Sequence, residues 1–136
     1  MHICFVCREY PPSLRGGGIA SYQKEMAYGL VTLGHKVTVI CASDNTRLES
    51  TIKEGNLTII RLKGGDFIIS AVEGHSKLKK PRTFYRYKSY RKRIRKTIEE
   101  IKGIDVIEVP EFGAEALYLQ DLQIPVVVRL HTPALM

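Results

Sequence analysis

No apolar run in this chain approaches the roughly 20 residues that span a bilayer, so no segment reads as a membrane-crossing helix. The opening MHICFV has no positively charged leader before it and no small-residue cleavage site after it. It does not read as a signal peptide, and we expect a cytoplasmic protein. Cysteine is scarce, at Cys4, Cys7 and Cys41, and an odd count without a secretory signal argues for reduced thiols. Cys4 and Cys7 form a Cys-x-x-Cys, but inside an expected strand, where residues three apart point to opposite faces. Redox and zinc pairs sit instead at a turn or helix start, so we read these cysteines as small buried hydrophobes. No internal repeat and no low-complexity linker is visible. Acid is missing from one long stretch: eleven of the 21 Lys and Arg lie between Lys77 and Lys96 with no Asp or Glu among them. Removing those eleven from the net +7 leaves −4, so the basicity is local.

What is present suffices for one domain. The chain has 136 residues, 44% of them hydrophobic. That is rich enough for a single packed core and too rich for a disordered chain. HICFVC, residues 2–7, is short, apolar and bounded by Arg8-Glu9 and Pro11-Pro12, as a buried strand is. A loop ending in Gly16-Gly17-Gly18 follows. Ile19, Tyr22, Met26, Leu30 and Leu33 then recur at helical spacing, with Gly34 as the stop. Strands are expected at 36–42, 57–62, 105–109 and 125–130, and helices at 83–102 and 113–121. Tyr87, Ile94, Ile98 and Ile101 form the stripe of the first of these helices. Residues 63–82 read as an irregular excursion. The unbroken Val run at 126–128 fits a strand covered on both faces.

Strands alternating with helices imply an α/β fold: a Rossmann-like, doubly wound parallel sheet of order 3-2-1-4-5 in these five strands. The sheet stops after a strand and its loop, without the helix that should cover it. We therefore expect residues 1–136 to be one domain of a longer chain.

In such a sheet, ligands bind beyond the carboxyl ends of the strands, where the strand order reverses. Three loops meet there: Arg8 to Gly18, Pro110-Glu111-Phe112-Gly113, and His131-Thr132-Pro133. Glycines that open a helix let backbone approach a ligand and present free N–H groups at the positive dipole end. That favours a phosphate or a polar sugar edge. Gly18-Ile19-Ala20 lacks the Gly-Lys-Ser/Thr of a P-loop. Eight residues separate Cys7 from Gly16, which disfavours a dinucleotide fingerprint, although Asp44 follows the second strand as a ribose-binding acid would.

Together these segments resemble a known family. EYPPSLRGGGIASY, an amphipathic helix and GHKVTVICA are similar to the amino-terminal domain of retaining GT-B glycosyltransferases of the glycogen-synthase-like group, glycosyltransferase family 4. DVIEVPEFGAEA and VVVRLHTP resemble its fourth and fifth strands. The resemblance covers nearly all of the chain except about 63–82. It implies transfer of a sugar from a nucleotide-sugar donor to a sugar, glycan or lipid-linked acceptor. Gly16, Gly17 and Gly18 would line the cleft near the donor diphosphate or the acceptor. His131 would be the catalytic residue at the reaction centre, with Thr132 beside it, and Glu111 would shape the acceptor pocket. No cofactor or metal is expected beyond the nucleotide sugar. A second domain, which would hold that donor, is absent here, so this chain alone should be inactive. His2, His35 and His75 receive no role.

The basic stretch carries Arg86, Lys88, Arg91, Lys92, Arg93, Arg95 and Lys96. It is either an ordinary solvated helix with snorkelling side chains or a surface for anionic membrane, each cation contributing on the order of 1 kcal/mol. Nucleic acid fits less well, since no binding motif accompanies the patch. Two further alternatives to an enzyme stay open: a non-catalytic Rossmann-like module for a nucleotide or other anion, and a basic membrane-surface-binding domain.

Overall fold

The computed structural model describes residues 1–13, 17–44, 48–63, 79–111 and 115–131, the side chains of 79–84 and 86 excepted. Gly16, Thr132, His75, the Arg86 side chain and most of the 63–82 excursion lie outside these residues. The described elements are β1 (His2–Val6), α1 (Gly18–Thr32), β2 (Lys36–Ala42), β3 (Ser50–Glu54), β4 (Leu57–Leu62), α2 (Lys79–Glu100), β5 (Val106–Pro110), a 3-10 turn (Glu115–Tyr118) and β6 (Val126–Arg129).

The six strands form one sheet in the order β3-β4-β2-β1-β5-β6. All neighbours are parallel except β3, which pairs antiparallel with β4. The five expected strands thus stand in the expected order, with an additional edge strand beside them. β1 is central and buried along its whole length. Its residues alternate between two cores, as the pleat requires. Ile3, Phe5 and Cys7 join Val37, Val39, Cys41, Leu57 and Ile59 on the face covered by α1. Cys4 and Val6 join Ile40, Leu62, Ile107 and Val109 on the face covered by Tyr90, Ile94 and Ile98 of α2. Cys4 and Cys7 therefore face different cores, and both are buried free thiols. Burial pushes the Cys4 and Cys41 thiols up to about 12, which leaves them protonated and inert.

Helix α1 ends as the sequence implies. Gly34 has φ of +87°, and the His35 and Gly34 amides bond back to the Leu30 and Val31 carbonyls, a Schellman stop. Its buried stripe differs from the expected one. Ala20, Gln23 and Ala27 are buried, Met26 and Leu30 pack at the side, and Leu33 is 74% exposed. Two alanines let the helix axis approach the sheet, and the longer apolar chains are displaced to the flanks. α2 begins at Lys79, four residues earlier than expected. Pro81 falls in its first turn, where the N–H groups have no helical acceptor.

Three expectations are corrected. Residues 50–56 carried no expected structure, yet Ser50–Glu54 and Leu57–Leu62 form a hairpin across Gly55-Asn56, with Gly55 at φ +56°. All five β3 residues are exposed, so the strand carries no apolar alternation to betray it. The expected helix at 113–121 is instead a 3-10 turn in its described part, 112–114 lying outside. Its backbone closes in three-residue steps, Leu119 to Ala116 and Leu122 to Leu119, while Arg95 takes the Tyr118 carbonyl at 3.0 Å. Third, among the described residues the Val run is not covered on both faces: Val127 and Val128 are 47% and 49% exposed, and β6 pairs with β5.

The close seating of α1 gives a stability test. Ala27→Leu should destabilise the fold by about 1–3 kcal/mol through overpacking, whereas Leu33→Ala should change stability by less than about 0.5 kcal/mol. Urea unfolding of both variants checks this; an unchanged midpoint for Ala27→Leu would show that the helix does not lie tight against the sheet.

Candidate functional site

The strand order reverses at β1, where α1 leaves toward β2 on one face and α2 returns to β5 on the other. The loops at the carboxyl ends of the strands are pinned by backbone and side-chain bonds. The Cys7 amide bonds to Ile40 O, and the Arg8 carbonyl accepts from Ala42. Arg61 of β4 donates to the carbonyls of Tyr10 and Pro11 at 3.0 and 3.2 Å, and Ser13 donates to Asp44 at 2.8 Å. This loop therefore crosses the ends of β2 and β4 before α1 begins. Gly17 is the N-cap of α1, with extended backbone and no side-chain cap. A Cβ placed at Gly17 or Gly18 would meet nothing within 4 Å.

On the α1 face of this rim, four side chains form one cluster. Glu108 of β5, buried in an otherwise apolar strand, accepts two bonds from Arg129 of β6, at 2.7 and 3.0 Å. The Tyr22 hydroxyl donates to the same carboxylate at 3.2 Å, and the Arg129 guanidinium lies 5.0 Å from the Tyr22 ring centre. The Tyr22 ring meets the His131 ring edge-on, centroids 4.9 Å apart and planes at 69°. The His131 amide donates to Glu111 at 2.9 Å, and the Glu111 amide donates to the Arg129 carbonyl at 3.1 Å. Burial, then the Glu108 charge, raises the Tyr22 hydroxyl above its ordinary value, which keeps it a donor. His131 Nε2 is buried with no hydrogen-bond partner among the described residues.

On the α2 face sits a second charged pair. Arg8 bonds Glu115 at 2.9 Å, and the Glu115 side chain is only 1% exposed. Tyr87 lies between the guanidinium groups of Arg8 and Arg91, at 5.4 and 5.0 Å. Burial holds the Glu115 carboxyl above its usual range against the pull of Arg8.

The sequence-derived residues thus fall as follows. His131, Glu111 and the first turns of α1 after Gly17 and Gly18 come together at one rim. His2 lies at the far, amino edge, its Nε2 2.8 Å from the Thr38 hydroxyl. Of the basic stretch, Arg93 pairs with Glu49, Arg95 with Glu99 and Asp121, and Lys96 with Glu100, while Lys88 and Lys92 are exposed. Sequence reasoning missed Tyr22, Glu108, Arg129 and the Arg8–Glu115 pair. The signal was available: Glu108 in DVIEVP and Arg129 in VVVRL are opposite charges inside neighbouring apolar strands, and buried charges must pair. No group of three His, Cys, Asp or Glu able to hold a metal occurs among the described residues, and no described helix is long and apolar enough to cross a membrane.

Comparison with known proteins settles the family. The model of Glycosyltransferase Family 4 matches residues 16–135. The chain belongs to glycosyltransferase family 4. Its fold is shared by solved structures, among them a sucrose-phosphate synthase and a starch synthase domain. Sucrose-phosphate synthase from Thermosynechococcus elongatus matches with a TM-score of 0.63 at 13% identity, over 96% of this chain and 33% of that one. The catalytic domain of starch synthase IV from Arabidopsis thaliana, bound to ADP and acarbose, matches with a TM-score of 0.60 at 13% identity, over 96% and 34%. This family 4 chain spans about a third of the length of either structure. No curated protein matches it significantly. The sheet is the Rossmann-like amino-terminal domain of the GT-B type.

The Arg8–Glu115 pair predicts a distinct stability pattern in this family 4 domain. Arg8→Met leaves a buried carboxylate without its counter-charge and should cost about 3–5 kcal/mol; Glu115→Gln should cost less. The folded state holds the Glu115 proton more tightly than the unfolded chain, so wild type should lose stability relative to Glu115→Gln as pH rises above the ordinary value of 4.5. Urea titrations of both proteins from pH 4 to 8 read that difference, and parallel pH profiles would refute it.

Proposed function

We propose that this domain is the acceptor-side wall of a retaining glycosyltransferase that moves a hexose from a nucleotide sugar to an acceptor, with a second domain closing over the rim to hold the donor. The observation that supports it is the meeting of Glu111, His131 and, through Tyr22, the first turns of α1 at the point where the strand order reverses, the place where α/β sheets take ligands.

Each part has a use in that reaction. The uncapped N-terminus of α1 offers backbone N–H groups and the positive end of a helix dipole. Open space beside Gly17 and Gly18 leaves room for a phosphate or a sugar edge against bare backbone. His131 Nε2 has no hydrogen-bond partner among the described residues, and a sugar hydroxyl near the reacting carbon would supply one once substrate enters the rim. Leaving-group charge on the diphosphate is stabilised by fixed dipoles and by the second domain as the cleft closes, so the reaction needs no bound metal. The starch synthase domain of similar fold holds ADP, which supports a nucleotide donor here. Binding of an anionic membrane through α2 draws less support, because Arg91, Arg93 and Arg95 are engaged within the molecule.

Assays of the longer protein carrying this domain, against a panel of nucleotide sugars, test the proposal. His131→Ala should lower kcat by about 10²–10³-fold, chelator should have no effect, and the product should keep the donor's anomeric configuration by NMR. Residues 1–136 alone should show no transfer; turnover by this chain in isolation, or an inverted product, would overturn the reading.

A further inference from the structure

Glu108 stands where an apolar residue would serve stability better. Its strand neighbours Ile107 and Val109 are fully buried, and Glu108 itself is 9% exposed. Taking the carboxylate out of water carries a desolvation cost that the half-exposed Arg129 only offsets, and replacing such a pair by apolar side chains is often neutral or stabilising. What the pair does accomplish is local: it grips one ring. Arg129 binds both carboxylate oxygens, the carboxylate holds the Tyr22 hydroxyl, and the guanidinium covers the Tyr22 face. The ring is thereby held at its hydroxyl and at its face. Its edge contact then falls on one residue of the rim, His131.

We propose that Tyr22 is a positioning residue for His131, set in place by the Glu108–Arg129 pair. The contacts close a circuit: Glu108 to Tyr22, Tyr22 to His131, His131 through its amide to Glu111, and Glu111 through its amide to the Arg129 carbonyl. Glu111 fixes the backbone of His131 and Tyr22 fixes the plane of its ring, so that Nε2 points in one direction. A hydrogen bond to a reacting sugar gains from a donor or acceptor whose orientation is set before substrate arrives. This inference rests on the transferase reading for its kinetic consequence, but the ring contact is independent of it.

The test uses the longer protein carrying this domain, with selectively labelled histidine, and the variants Tyr22→Phe, Tyr22→Leu and Glu108→Gln. Tyr22→Leu should displace the His131 ring-proton resonances by removing the ring current, and should lower kcat by about ten- to a hundredfold with KM little changed. Tyr22→Phe keeps the edge contact and loses only the tether, so it should restore most of both signals. Glu108→Gln weakens the grip of Arg129 and should fall between. Wild-type resonances and wild-type kcat in Tyr22→Leu would overturn the proposal. A wild-type protein with no turnover on any nucleotide sugar would instead sink the transferase reading, and unmoved His131 resonances in Tyr22→Leu would then reject the positioning role on their own.

Discussion

The rim exists because β1 lies between β2 and β5 with all three strands running the same way. Parallel neighbours need crossover connections, and a right-handed crossover puts each helix on a defined face. The β1–β2 crossover places α1 on one face, and the β4–β5 crossover places α2 on the other. Loops leaving β1 and β5 therefore diverge above the sheet, and the gap between them cannot be filled by either helix. Had β5 been inserted antiparallel, Glu111 would stand at the amino edge beside His2, away from the first turns of α1.

Two ion pairs straddle that gap, and they are not equivalent. Arg8–Glu115 lies on the α2 face, with a carboxylate almost wholly out of water and Tyr87 stacked over the arginine. It joins the end of β1 to the 3-10 turn, and so fixes the level at which the chain leaves β5. Glu108–Arg129 lies on the α1 face, with the arginine 41% exposed. Water reaches one partner, which lowers the desolvation cost of the pair and also its contribution to stability. A half-open pair at the carboxyl rim of the sheet suits orientation of neighbours more than holding the fold together.

The sheet was legible in the sequence because its strands are apolar on both faces: HICFV, KVTVICA and LTIIRL leave little choice of partner or face. What escaped notice escaped for physical reasons. β3 is exposed at every position, so its single signal was Gly55-Asn56 between two β-branched runs, a two-residue hairpin connection. In α1 the pattern of large apolar residues pointed to Tyr22 and Leu33, while contact with the sheet is made by Ala20 and Ala27, whose small side chains carry little weight in any periodicity. Tyr22, counted among core positions, faces the rim instead. Arg8 and Glu115 are 107 residues apart, a separation at which no local pattern links two charges.

The glycines at the start of α1 are the last piece, and they differ from the one at its end. Gly34 sits at φ +87°, a conformation that ordinary residues avoid, so the chain itself demands glycine there. Gly17 has φ of −117° and ψ of −175°, extended backbone open to any residue, and neither Gly17 nor Gly18 is crowded. Nothing within the described residues requires their lack of a side chain. A serine or aspartate at Gly17 would cap the helix and stabilise it by only about a few tenths of a kcal/mol, since glycine is itself a tolerated N-cap. An open helix start at Gly17 therefore costs the fold little, and the residue that ties α1 to the rim is Tyr22, in the second turn, through its ring contact with His131.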